Sequence, residues 1–288
     1  MFNSLPSLAV VARDVWQPTL IVAAIACLLG IVIVIIFKLF AVPTDERFEE
    51  LLERLPGVNC GGCGYSGCAG YAEALAKGQD TDCTKCAPGG KDTVKELSAY
   101  LGMEAPAYVP KVARLACQGS CSHTSKRYEY TGSMSCASAT NLFAGPNSCV
   151  YGCLGFGDCV ATCEFGAMEI KDGIVHINPD RCTACGCCVK ACPKSLLSLM
   201  PKYTSLYRVA CSNTDAGGRV RKVCDIGCIG CRKCQKACNY SAITMKESLA
   251  VIDAEKCVHC GACIGECPTH AIVKGLYDVI AEAQEQVA

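Results

Sequence analysis

The sequence predicts an α+β fold carried on a single N-terminal transmembrane helix, with a small four-cysteine domain after the helix and two tandem cysteine-motif modules after that. Three observations predict it. An uncharged apolar run near the N-terminus is long enough to cross a bilayer. Cysteine supplies 28 of the 288 residues against 7 Phe and 1 Trp, so something other than burial must hold the chain together. Those cysteines recur at two-residue gaps, in repeated groups.

The apolar run extends from Thr19 to Phe37 without a charge, and Lys38 at its end can snorkel to the interface. Trp16 precedes the run where an interfacial aromatic anchor is expected. A cleaved signal peptide is the competing reading, but the run is long for that and no A-x-A site follows before the charged helix from Asp45. Arg13 is offset by Asp14 on one side while Lys38, Arg47 and Arg54 lie on the other, which places the C-terminal domains in the cytoplasm. A reducing compartment also suits so many thiols. No ionisable group lies in the run, so an ion path through this helix alone is not expected, and Cys27 within it reads as a packing residue. Twenty-seven Lys plus Arg balance 27 Asp plus Glu, which gives no basic surface for nucleic acid.

A charged helix is predicted from Thr44, as N-cap, to Leu55. Next, Cys60, Cys63 and Cys68 make C-x2-C-x4-C, with Cys83 and Cys86 competing to be the fourth thiol. Gly61, Gly62 and Gly64 let the backbone curl tightly there. Zinc is the alternative occupant of such a site.

In the C-terminal half, Cys228, Cys231, Cys234 and Cys238 form C-x2-C-x2-C-x3-C, and Cys257, Cys260, Cys263 and Cys267 repeat it after 18 residues. The preceding copy reads as a stretched C-x3-C-x5-C-x3-C through Cys149, Cys153, Cys159 and Cys163, followed after 18 residues by Cys182, Cys185, Cys188 and Cys192. Short alternating segments, Ile174 to Ile177 after Asp172-Gly173 and Leu249 to Ile252, predict a β-hairpin in each module. This is the signature of two-cluster bacterial ferredoxins, in which the fourth cysteine of each motif serves the other cluster. Crossed in that way, Cys149, Cys153, Cys159 and Cys192 hold one 4Fe–4S cluster, and Cys182, Cys185, Cys188 and Cys163 its partner. Cys228, Cys231, Cys234 and Cys267 hold a third, and Cys257, Cys260, Cys263 and Cys238 a fourth. Zinc ribbons use two distant C-x2-C pairs with no third cysteine in register, so zinc fits these sites poorly. Cys187 falls outside the register, as a free thiol.

An apolar helix, a PGVNCGGCGYSGC box and two tandem ferredoxin-like modules, in that order, resemble the B subunit of the Rnf ferredoxin:NAD oxidoreductase complex along essentially the whole chain. Segments such as Cys149 to Cys159 (CVYGCLGFGDC), Val209 to Asn213 (VACSN) and Cys228 to Cys234 (CIGCRKC) carry the same resemblance. It implies a membrane-anchored electron-transfer subunit whose partners are soluble ferredoxin and the membrane, flavin-bearing and NAD-binding subunits of the complex. No G-x-G-x-x-G joins a strand to a helix, which agrees with a nicotinamide site on another subunit. The resemblance favours Cys86, before Pro88-Gly89-Gly90, over Cys83 in the box. It also picks out Cys117, Cys136, Cys211 and Cys224 as recurrent positions, a possible further cluster that raises the total from about five to six. That site requires the 115–147 and 209–224 segments to fold beside one another. Isolated buried thiols are the plainer reading of these four, and Cys121 is an alternative ligand.

Six cations, Arg219, Arg221, Lys222, Arg232, Lys233 and Lys236, cluster in sequence and would suit an acidic ferredoxin, although a solvated face explains them too. The four histidines are scattered, and no acid, base or nucleophile is called for. The expected organisation is an anchor (1–43), the box domain (44–101), a linker with the possible extra cluster (102–148), the first module (149–210), the second module (211–274) and a tail (275–288).

Overall fold

The computed structural model describes residues 8–39, 46–202 and 207–274, and the side chains of all but the first turns and the last residue of the N-terminal helix. Thr44, expected as an N-cap, and the 275–288 tail lie outside the described residues, as do the side chains of Arg13 and Asp14. The chain divides into two units, the first built on helix α1 and the second starting at Arg47.

Helix α1 (Leu8–Leu39) begins well before the apolar run. Its segment Thr19–Lys38 is long and apolar enough to cross a membrane. The described apolar side chains there are exposed on every face, as lipid-facing side chains would be.

The second unit opens with α2 (Glu46–Glu53), α3 (Cys68–Ala76) and α4 (Gly90–Leu101). Phe48, Leu51, Leu52 and Leu55 fall at helical spacing and pack on Tyr71, Leu75 and Leu97. The Tyr71 hydroxyl donates to the Asp82 carbonyl at 2.6 Å, and the Asp80 carboxylate receives the Tyr65 hydroxyl at 2.6 Å and the Lys85 ammonium. α4 ends on Gly102 in the left-handed conformation, a common helix stop.

The rest is one supersecondary unit built twice. The first copy contains β1 (Lys111–Leu115), α5 (Cys136–Thr140), α6 (Asp158–Ala161), β2 (Met168–Lys171), β3 (Ile174–Ile177), α7 (Cys187–Ala191) and β4 (Leu197–Pro201). The second contains β5 (Tyr207–Val209), α8 (Gly217–Val223), α9 (Lys233–Lys236), β6 (Ile243–Lys246), β7 (Leu249–Ile252), α10 (Ala262–Gly265) and β8 (Ile272–Lys274). In each copy a hairpin (β2–β3, β6–β7) and an antiparallel ladder (β1–β4, β5–β8) enclose a small core of aliphatic side chains and cysteines. Both predicted hairpins form, turning through Asp172 and Gly173 in the first and Glu247 in the second, all at positive φ as tight hairpin turns require. β1 comes from the segment expected to be a linker, so the first module draws in a strand from upstream of its cysteine motifs.

Candidate metal centres

In each C-x2-C-x2-C loop the residues flanking the middle cysteine sit at positive φ: Ala184 and Gly186, Gly230 and Arg232, His259 and Gly261. These left-handed steps curl the loop, so that backbone N–H groups and thiols face one concavity. Gly230 also lies against the second hairpin, where an added Cβ would fall 2.6 Å from the Ser248 carbonyl oxygen. Only glycine serves there.

The thiols gather into cages. Cys163, Cys182, Cys185 and Cys188 line one cavity, and Cys238, Cys257, Cys260 and Cys263 another, the crossed sets expected from the motifs. Cys228, Cys231 and Cys267 surround Cys234. In the box, Cys60, Cys63 and Cys68 surround Cys86, whereas Cys83 is buried beside Ser98, Asp80 and Asp82. The Asn59 carboxamide oxygen accepts the Cys68 amide at 2.8 Å, fixing the start of α3 at the cage.

For the eight remaining motif cysteines the structure exchanges two expected positions. Cys136 lines a cavity with Cys153, Cys159 and Cys192, while Cys149 lines a different one with Cys117, Cys211 and Cys224. Cys136 begins α5, and the Asp158 carboxylate holds it there, accepting from the amides of Cys136 (2.9 Å) and Ala137 (3.0 Å) and from the Ser135 hydroxyl (3.0 Å). Lys194 donates to the carbonyls of Val150 (2.9 Å) and Gly152 (3.1 Å), clamping the loop between the two cavities. Cys121 is exposed against the first hairpin turn, outside either cage, and Cys187 donates to the Cys60 carbonyl at 3.3 Å.

Burial pushes the thiols up, to about 12 for Cys117, Cys159 and Cys188 and about 11 for Cys86, Cys224 and Cys234, with neighbouring thiols adding to the rise. Four adjacent thiolates in so apolar a cavity need positive charge between them. Among the described residues no three Cys, His, Asp or Glu groups close around a point fit for a single ion. Convergent thiols, inward N–H groups and left-handed loops all fit a 4Fe–4S cluster.

The 4Fe-4S dicluster domain family matches residues 148–196 and 227–271, and the "Putative Fe-S cluster" family matches residues 55–88. Over 253 residues the chain is 39% identical to the B subunit of the ion-translocating oxidoreductase complex of Methanosarcina acetivorans, covering 88% of this chain and 95% of that protein. It is 40% identical over 256 residues to the B subunit of the Na(+)-translocating ferredoxin:NAD(+) oxidoreductase complex of Acetobacterium woodii, covering 88% and 76%. The proton-translocating counterpart from Clostridium ljungdahlii is 39% identical over 255 residues, covering 88% and 89%. The chain belongs to the family of Rnf B subunits.

In this Rnf-family chain the exchange of Cys136 and Cys149 does have a signal in the sequence. Shifted by 75 positions without a gap, the first module superposes on the second: Cys149 on Cys224, Cys153 on Cys228, Cys159 on Cys234 and Cys163 on Cys238. Phe156 then falls on Cys231, and the backbone agrees, with Gly155 and Gly157 at positive φ around Phe156 as Gly230 and Arg232 are around Cys231. The first motif is therefore C-x2-F-x2-C-x3-C, one thiol short, and not a stretched C-x3-C-x5-C. Phe156 packs on Tyr130 with ring centroids 5.5 Å apart.

Proposed function

We propose that the chain relays single electrons between soluble ferredoxin and the membrane and flavin-bearing subunits of an ion-translocating ferredoxin:NAD oxidoreductase, with α1 as its membrane anchor and the cysteine domains on the cytoplasmic side. The observation that carries the reading is an unbroken succession of cages, each against the next. A Cβ at Gly62 of the box would fall 2.3 Å from the Cys185 carbonyl oxygen, and Lys190 donates to the Gly61 carbonyl at 3.2 Å, so the box rests on the first module. Cys159 of the Cys153–Cys192 cage is an electrostatic neighbour of Cys188 in the next. On the other side Cys153 donates its amide to Cys117, whose cavity also holds Cys211, a neighbour of Cys228 in the second module.

A bound 4Fe–4S cluster supplies a one-electron store that makes and breaks no bond. The protein's part is spacing, shielding and orientation. Cys231 and Cys260 are exposed at the second module, where an external donor can come close. α8 is seated on the Cys228 loop, since a Cβ at Gly217 would fall 2.3 Å from the Ile229 carbonyl oxygen. Arg219, Arg221 and Lys222 on α8, and Arg232, Lys233 and Lys236 at α9, are all exposed; Arg219 also meets Asp215 at 3.4 Å. These cations suit an acidic ferredoxin and would steer it to this end.

The test is anaerobic stopped-flow reduction of the full chain in detergent by reduced ferredoxin. Arg232→Glu with Lys233→Glu is expected to slow bleaching about ten-fold at low salt and flatten its salt dependence. An unchanged rate and salt slope would remove the docking assignment, and no bleaching in the native chain would remove the relay itself.

A further inference from the structure

We propose that Cys117, Cys149, Cys211 and Cys224 hold a 4Fe–4S cluster shared equally by the two modules, and that Cys136 supplies the fourth ligand of the Cys153, Cys159 and Cys192 cluster. The proposal rests on the relay reading and adds a site that none of the three matched family segments contains, since Cys117, Cys211 and Cys224 lie outside all of them.

Geometry comes first. The position a Cβ would take at Gly119 lies 3.4 Å from Cys224 Sγ and 3.8 Å from Cys117 Sγ, so these two sulfurs face one point although they belong to different modules. Buried Asn213 joins the other two: its amide donates to Cys211 Sγ at 3.4 Å and its carboxamide to Cys149 Sγ at 3.6 Å. The cavity is closed by segments that cross between the modules. Arg208 donates to the Leu115 carbonyl at 2.7 Å, Ser212 to that of Ala116 at 2.8 Å, Thr124 to that of Val223 at 2.8 Å, and Gln118 to that of His270 at 2.8 Å.

The second argument is the internal register. Cys149 and Cys224 are equivalent under the 75-residue shift, each four positions before the first cysteine of its module's motif. Cys117 and Cys211 are equivalent as well, following the matching strands β1 and β5 in Arg114-Leu115-Ala116-Cys117 and Arg208-Val209-Ala210-Cys211. Their amide donors correspond too. Cys153 donates to Cys117 Sγ at 3.5 Å and its counterpart Cys228 donates to Cys211, while Gly119 and its counterpart Asn213 supply the second donor to each. Two ligands from each module, at matching positions with matching hydrogen bonds, make a site to which each half contributes equally. The Cys153 and Cys228 amides belong to ligands of the adjoining clusters, so the centre bridges the modules electronically.

The first module lacks a middle cysteine at Phe156, and a cluster there would have three ligands unless a thiol came from elsewhere. Cys136 fills that place, held by Asp158.

The test is iron and acid-labile sulfide per full-length chain, purified without oxygen in detergent, for the native protein and two double variants. Native protein is expected to carry about 24 of each, four per cluster over six sites. About 20 would overturn the bridging site and leave the relay standing, whereas zinc without sulfide would overturn the relay. Cys149→Ser with Cys224→Ser is expected to lose about four irons, no more than either single change, because both residues serve one cluster. Cys136→Ser with Cys159→Ser should likewise lose about four. A loss of about eight from either pair would overturn the partition. Should the variants fail to fold, the native count still decides whether the bridging site exists.

Discussion

Asp158 offers the sharpest test of how the first module completes its ligand set. Its carboxylate accepts three hydrogen bonds at 2.9–3.0 Å from Ser135, Cys136 and Ala137, at the start of the five-residue helix α5. Hydrogen bonds to a charged acceptor contribute roughly 1.5–3 kcal/mol each when shielded, but Asp158 is half-exposed, so Asp158→Ala should cost about 2–3 kcal/mol in positioning Cys136. At 1.4 kcal/mol per factor of ten, that weakens the ligand's hold by roughly 30- to 150-fold. Asp158→Asn keeps one acceptor and should fall between. The assay is the rate at which anaerobically purified full-length protein loses iron and visible absorbance after brief exposure to air. Asp158→Ala should lose about four irons in a distinct fast phase while the remaining clusters decay at the native rate. Native iron content together with a native decay curve would refute both the role of Asp158 and the ligation by Cys136.

Two further perturbations probe the loops and the box. Gly230→Ala places a Cβ 2.6 Å from the Ser248 carbonyl oxygen at φ +63° and should destabilise the second module by about 2–4 kcal/mol, whereas Gly218→Ala, with open space around it in α8, should be stabilising by about 0.5–1 kcal/mol; thermal melting followed by cluster absorbance reads both, and equal shifts would contradict the packing. The Lys85 ammonium and then the Tyr65 hydroxyl hold the Asp80 carboxyl down at about 2. A depressed carboxyl stabilises the fold above its unfolded value near pH 4 and loses that contribution as pH falls towards 2, so the gap in urea midpoint between native protein and Asp80→Asn should be widest at pH 5–7 and narrow below about pH 3. A gap that stays constant across that range would mean that Asp80 ionisation does not stabilise the box.

Much of this architecture was legible because the chemistry is local. The two hairpins follow from alternating residues around Asp172-Gly173 and Glu247-Ser248, and three of the four module cages follow from three-residue spacing, which a single loop can close. In the box, spacing gave three thiols and left Cys83 and Cys86 open as the fourth; the resemblance chose Cys86, the one the fold turns towards Cys60. The misplaced pair shows where spacing fails. Cys149-x3-C looks like a distorted motif until Phe156 is seen to occupy a ligand's slot, and Cys136, seventeen residues before Cys153, is brought in by a carboxylate on another helix. Nothing in the 102–148 stretch announces β1 either, because a five-residue strand gains its identity from its partner β4.

The equal sharing of one cage by matching residues has a consequence for assembly. A polypeptide with a single such module would own Cys117 and Cys149, or Cys211 and Cys224, and would present half a coordination sphere at its surface. It could saturate iron only by meeting a second copy. With a cluster in that cage the present chain would behave like that pair made permanent by covalent linkage, its two lobes joined by a metal clasp as well as by polypeptide. Oxidative damage to the clasp would then loosen the lobes at the moment it cuts the current between them.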